Sequence, residues 1–297
     1  VPAPHRPPPH ELVDVAPRTT TRRTAVAALV GTTVLFGGGC TSGSGGNTDG
    51  ARPPATPARK LVWEDDFDGP AGAAPDPSNW TPEHGGGGWG NGELQTYTDD
   101  IANLAVDGAG NLVITARALT TGAGTSWTSA RITTFGKRTV TNGRVEVRAK
   151  VPRGQGIWPA AWTLGQNIQD VGWPACGEID VVESIDDATE VLQTVHGRRA
   201  DGERWYRTLT EPVSAPLSED FHVYAADWTP DAVVFSVDGR TTGQVRRSDL
   251  GGDEKWPFDA AQYVLLNVAV GGRLPGYPDD TTPTTASMLV DRVSLYE

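Results

Sequence analysis

Glu178, Asp180 and Glu183 stand within six residues of one another in "CGEIDVVES", framed by Ile179, Val181 and Val182. Carboxyl groups gathered this closely can divide the work of acid, base and nucleophile, because each raises the proton affinity of its neighbours. Isoleucine and valine favour a pleated strand, in which alternate side chains share a face. Glu178 and Asp180 then point one way, whereas Glu183 points the other. One extra residue resolves the conflict: a β-bulge at Val181–Val182 turns Glu183 back to the face of the other two. Retaining glycoside hydrolysis uses such a pair, one carboxylate as nucleophile and one carboxylic acid as proton donor, about 5–5.5 Å apart. Four effective strand steps separate the glutamate Cα atoms by roughly 13 Å, so long side chains must lean inward and aspartates would fall short. From residue types alone, an acidic strand edge in solvent and a calcium site stand beside catalysis.

Positioning these acids falls to strands. Glycine (36) and proline (23) fill about a fifth of the 297 residues, and apolar residues rarely recur at helical spacing. Short alternating runs recur instead: 111–118, 144–151, 221–228, 232–239, 263–270 and 288–297. Thr229, Pro230 and Asp231 join 221–228 to 232–239 as a hairpin. Many antiparallel strands without helices predict an all-β, two-sheet jelly-roll sandwich of the concanavalin A-like kind. Strand alternation alone leaves a propeller open. No second linker or repeat follows Leu61, so 61–297 reads as one domain.

The first sixty residues read as an address. An uncharged stretch from Ala25 to Gly39 follows Arg22-Arg23, partly resembles a twin-arginine export signal, and is too short to span a membrane. "GGGC" ending at Cys40 resembles a lipoprotein cleavage site, although Gly37 stands where a larger aliphatic is usual. Ordinary export with cleavage nearby is the alternative. Residues 1–40 are therefore expected to be an export signal, 41–60 a flexible tether, and the product extracellular or at the cell surface, with lipidation at Cys40 as its membrane contact. Cys176 is the other cysteine, which excludes a disulfide scaffold or a zinc–cysteine site; it reads as a small buried hydrophobe. From residue 61 onward, 18 Arg/Lys face 34 Asp/Glu, a balance of −16. Such acidity argues against nucleic acid and anionic membranes as partners. Ten tryptophans against one methionine suit a cleft that stacks sugar rings.

"EIDVVE" (178–183) resembles the signature of glycoside hydrolase family 16, in the six-residue form of laminarinase-like β-1,3-glucanases. "LVWEDDFDG" (61–69), "GWGNGELQTYT" (88–98), "GIWPAAWTLG" (156–165), "TVHG" (194–197), "FHVYAADWTPD" (221–231), "LNVAVGG" (266–272) and "MLVDRVSLYE" (288–297) extend the resemblance in order across 61–297.

The resemblance implies Glu178 as nucleophile, Glu183 as general acid/base and Asp180 as the group that tunes them. It implies Trp158 and Trp173 as stacking faces for glucose rings, and Trp162 as either a stacking face or core. Asn91, Glu93 and Gln95, alternating along one strand face, are expected to bond sugar hydroxyls, and His196 a substrate hydroxyl or Glu183. His84 lies in a glycine-rich loop that could approach ligand. The chemistry requires no cofactor; a structural calcium ion is implied at Asp66, Asp291 and the Gly110 carbonyl.

Two departures bear on specificity. Arg273 and Leu274 stand where laminarinase-like members carry a small polar residue and a tryptophan, so one stacking platform is expected to be missing. The run 198–205 also lacks the usual glycine- and aromatic-rich continuation. The expected function is endo-hydrolysis of β-1,3-glucan such as laminarin or curdlan by a monomer. Alternatives are hydrolysis of mixed-linkage β-1,3-1,4-glucan or β-galactan, transglycosylation, and a non-catalytic glucan-binding module.

Overall fold

The computed structural model describes residues 59–297. The expected export signal, Cys40 and residues 41–58 of the expected tether lie outside the described residues. Arg59 and Lys60, read from sequence as the end of that tether, belong instead to the fold. Lys60 exchanges backbone hydrogen bonds with Glu297, and Arg59 reaches Asp227 and the carbonyls of Asn142 and Trp228.

Two sheets account for nearly all regular structure among the described residues, with one short helix (Ile168–Val171) and one 3-10 turn (Arg247–Asp249). The alternating runs of the sequence are strands at Leu112–Thr121, Arg144–Lys150, His222–Trp228, Ala232–Val237, Gln262–Val270 and Thr285–Tyr296. His222–Trp228 and Ala232–Val237 pair as the expected hairpin. In Arg144–Lys150 the period of two is plain: Val145, Val147 and Ala149 are buried, and the charged residues between them are half-buried. The larger sheet has ten strands and the smaller seven, and their apolar faces share one core that includes Val147, Tyr224, Phe235, Val264, Leu266 and Met288. This is the antiparallel jelly-roll architecture expected from sequence. One pairing departs from it: Gln95–Tyr97 runs parallel to Gly124–Ser129 at the edge of the larger sheet.

The seven-stranded sheet carries the acids. Its order is Arg204–Pro212, Glu190–Arg198, Glu178–Glu183, Ile157–Gly165, Gln262–Val270, Arg131–Thr133 and Thr81–Glu83. The acidic strand therefore has a neighbour on each side, and no solvent-facing edge of its own. The two strands beyond it in the order are buried along their whole length on both faces. On Gln262–Val270, Val264, Leu266, Val268 and Val270 enter the core, while Tyr263 and Leu265 join a second cluster with Ala160, Trp162, Leu164 and Cys176 on the opposite face. Cys176 is buried and unoxidised, and burial pushes its thiol up to about 12.

Candidate active site

The acidic strand contains the bulge its sequence demands. Against Glu190–Arg198 the register shifts between Asp180 and Glu183, and against Ile157–Gly165 between Asp180 and Val182. Ile179, Val181 and Val182 all enter the core, so the extra residue is absorbed on the apolar side. The irregular backbone at Val181 is not left bare: Gln193, itself fully buried, donates from Nε2 to the Val181 carbonyl at 2.9 Å. Thr242 in turn donates to Gln193 Oε1. Glu178, Asp180 and Glu183 thus come to one face.

Each glutamate has its own indole donor. Trp173 Nε1 donates to Glu178 Oε2 at 2.6 Å, and Trp158 Nε1 to Glu183 Oε1 at 2.9 Å. His196, on the adjacent strand opposite Glu178, places Nε2 at 3.0 Å from Asp180 Oδ2 and 3.7 Å from Glu178 Oε1. Asp180 also hydrogen-bonds Glu178. His196 therefore meets the Glu178–Asp180 pair and not Glu183, one of the two partners anticipated for it. The two indoles meet the glutamates through N–H donors, an arrangement that suits reacting carboxyl groups.

The electrostatics separate the roles. Burial, then repulsion from Asp180, pushes Glu178 up to about 7, against the pull of His196, Trp173 and Arg204. Burial also raises Asp180, against its hydrogen bond with Glu178 and the charge of Arg204. Glu183 is raised well above the carboxylate range by burial and by both acids, with the Trp158 bond opposing. Burial lowers His196 to about 4, so its imidazole is neutral near pH 7. Nδ1 of His196 has no hydrogen-bond partner among the described residues, which favours the tautomer with the proton on Nε2, donating to Asp180. Glu178, Asp180 and Glu183 thus form a cluster in which burial raises every proton affinity above the ordinary carboxylate range.

The other predicted residues divide. Trp162 lies on the acid-bearing face opposite Asp180, but it is largely buried and donates to Asn267 Oδ1 at 2.7 Å. Asn91 and Glu93 do not continue a regular strand, contrary to the expected alternation. Gly88, Gly90 and Gly92 take φ of 87, 83 and 76°, and Trp89 takes 47°, so the chain turns tightly before Gln95–Tyr97 begins. Asn91 donates to Glu93 at 2.9 Å, Gln95 donates to the other Glu93 oxygen, and Gln95 Oε1 accepts from Val270 N–H at 2.8 Å. Gln95 is 1% exposed with both amide ends engaged, so it braces Glu93 and does not present itself to a sugar. His84 is exposed beside Asp99 at 3.2 Å, outside the acid cluster.

The expected calcium ligands offer oxygens only. Asp65, next to Asp66, pairs with Val293, two residues from Asp291, and a Cβ on Gly110 would lie 3.8 Å from the Asp66 carbonyl and from Asp68 Oδ1. This donor chemistry fits a hard cation, although Arg148 Nη1 at 3.0 Å is the present counter-charge to Asp291.

Sequence reasoning passed over Arg131, Asn267, Gln193 and Arg204. The Arg131 guanidinium lies 4.7 Å from both the Trp89 and Trp162 ring centres and pairs with Glu83. Arg204 stands 5.8 Å from the Trp173 ring and 5.0 Å from that of Tyr206. A buried arginine between Ala130 and Ile132 was the one available signal for Arg131.

The family model "Glycosyl hydrolases family 16" matches residues 89–290. A "Beta-glucanase" of Rhodothermus marinus is 37% identical over 256 residues, 82% of this chain and 87% of the relative. This chain belongs to glycosyl hydrolases family 16. A "Glucan endo-1,3-beta-glucosidase" of Cryptopygus antarcticus is 37% identical over 227 residues, 73% of this chain and 82% of that protein. Among solved structures, the laminarinase catalytic domain of Thermotoga maritima superposes with a TM-score of 0.72 at 42% identity, covering 80% of this chain and 98% of its own. The bulged strand therefore sits in a domain whose likeness to the Thermotoga maritima laminarinase domain covers 80% of this chain.

Proposed function

We propose that the protein is an endo-acting, retaining hydrolase of β-1,3-linked glucans. The observation that carries the chemistry is the bulged strand, which brings Glu178, Asp180 and Glu183 to one face and gives each glutamate a separate indole donor. The choice of glucan rests on the β-1,3-glucanases among its relatives. In the first step the Glu178 carboxylate attacks the anomeric carbon while Glu183 gives its proton to the departing glycosidic oxygen. In the second, Glu183 takes a proton from water, whose oxygen displaces Glu178 with net retention. Asp180 holds its proton toward Glu178, leaving the nucleophile anionic, and His196 holds Asp180 in place.

Reducing-sugar release from laminarin, curdlan, mixed-linkage glucan and galactan tests this reading. Release from laminarin and curdlan is expected, with Glu178→Gln slowing it by roughly 10⁴-fold. Cleavage confined to mixed-linkage glucan or galactan would overturn the substrate, and undiminished activity in Glu178→Gln would overturn the mechanism. Products longer than the substrate would instead favour transglycosylation.

Calcium held by Asp66, Asp291 and the Gly110 carbonyl would join the first strand of the fold to the last. Added calcium is then expected to raise the melting temperature of chelator-treated wild type but not of Asp291→Ala; equal responses would dismiss the site. Export and lipid attachment at Cys40 rest on the sequence alone. The mass of the mature N-terminus from wild type and Cys40→Ser tests them, a difference no larger than sulfur against oxygen counting against lipidation. A monomer is expected by sedimentation.

A further inference from the structure

Tyr277 is 59% exposed and Leu94 47%, and a chain of close neighbours leads to both from Glu183. The path from the acid is short. Trp158, which holds Glu183, lies 3.7 Å from where a Cβ of Gly272 would sit, and the next glycine, Gly271, would place a Cβ 3.2 Å from the Tyr277 ring and 2.8 Å from Leu94. Gly92 would bring a Cβ to 3.3 Å from the Tyr277 hydroxyl. Gly92 and Gly271 both take positive φ, 76 and 69°, so neither position readily accepts a side chain that would crowd the tyrosine. Bare backbone therefore underlies one side of the ring and leaves the rest to solvent.

The loop bearing this tyrosine is tied down. Gln155 Nε2 donates to the carbonyls of Pro275 at 3.0 Å and Tyr277 at 3.2 Å, and Arg273 N–H donates to the Asn91 carbonyl at 2.9 Å. A large aromatic fixed on a braced loop loses little conformational entropy when it meets a ligand. Among residues 271–277 Tyr277 is the one aromatic side chain, so the loop's aromatic surface comes from it.

Resting on the glucanase reading, we propose that Tyr277 is the stacking platform of an outer subsite. It receives a glucosyl ring of the bound β-glucan, remote from the bond being cleaved, against its exposed face. The apolar C–H face of a pyranose matches an aromatic ring, and Leu94 extends that apolar surface.

The test is calorimetric binding of laminarihexaose and laminaribiose to the Glu178→Gln protein, with laminarin hydrolysis by wild type measured separately. Tyr277→Ala is expected to weaken hexaose binding about fivefold relative to biose, and Tyr277→Phe to restore it. Matching melting temperatures confirm that the variants are folded. An unchanged hexaose-to-biose ratio in Tyr277→Ala overturns the platform, and so does an equal loss in Tyr277→Phe, because a hydroxyl contact would then carry the effect. Hexaose binding that depends on Tyr277, in a protein that does not cleave laminarin, retains the platform and rejects the hydrolytic reading. Absence of hexaose binding overturns the platform.

Discussion

Glu178 and Glu183 differ less in burial than in what they touch. The Trp173 hydrogen bond and the Arg204 charge pull the proton affinity of Glu178 down, and Trp158 alone opposes the rise of Glu183. The nucleophile must be ionised and the acid protonated, so activity lies between the two titrations. Trp173→Phe removes a hydrogen bond that stabilises the Glu178 anion, which raises the pKa of Glu178 further. The acidic limb of kcat/KM is then expected to move to higher pH by about one unit, the alkaline limb staying in place. A pH–rate profile of the variant checks this; an acidic limb that does not move would mean the indole serves only packing or sugar binding. The same raised carboxyls fix a stability sign. Their contribution is fully present below the ordinary carboxylate range and is lost as pH rises through the raised values, near 7 for Glu178.

The acidic strand was the most legible element because its spacing was wrong for a plain strand. Two acids two residues apart and a third three residues further on can share a face only through an irregularity, and the apolar Val181 and Val182 said where. Asn91, Glu93 and Gln95 misled for the converse reason. Their spacing is strand-like, but positive-φ backbone nearby, at Gly87, Gly88, Trp89, Gly90 and Gly92, overrides it. Gln193 was invisible because its role is to meet a carbonyl that the bulge alone creates. Gln193→Leu leaves the buried Val181 carbonyl without its donor, a loss of about 1–3 kcal/mol. The melting temperature is expected to fall by roughly 2–4 °C per kcal/mol, and kcat to fall more than KM changes, because Glu183 lies just past the loosened backbone. Thermal melts and steady-state kinetics together check this. A stable variant with wild-type kcat would show that the bulge holds itself.

Across the whole domain, the strand runs were readable from the sequence, but the sheet order was not. Glu178–Glu183 lies between its two sequence neighbours, whereas Gln262–Val270 inserts beside Ile157–Gly165 from about a hundred residues away. Its pattern of apolar residues marks burial without naming a partner. The chain ends follow the same logic. Leu61–Asp65 pairs with the last strand, and Lys60 with Glu297, so the beginning and end of the described fold are hydrogen-bonded to each other. Arg59 fastens that junction. Its Nε donates to Asp227 at 2.8 Å, its terminal nitrogens reach Asn142 O at 2.8 Å and Trp228 O at 3.1 Å, and its side chain is 15% exposed. Asp227 also pairs with Arg144, so the loss of Arg59 leaves no bare carboxylate but strands two carbonyls near the surface. A domain beginning at Leu61 is therefore expected to melt below one beginning at Arg59, by about 2–8 °C for a loss of roughly 1–2 kcal/mol. Arg59→Ala in the longer form should account for most of the difference. Activity on laminarin at 25 °C should be the same in all three forms, because the latch lies on the ten-stranded sheet and the acids on the other. Equal melting temperatures for the two lengths would show that the guanidinium contacts add nothing to the strand pairing beside them.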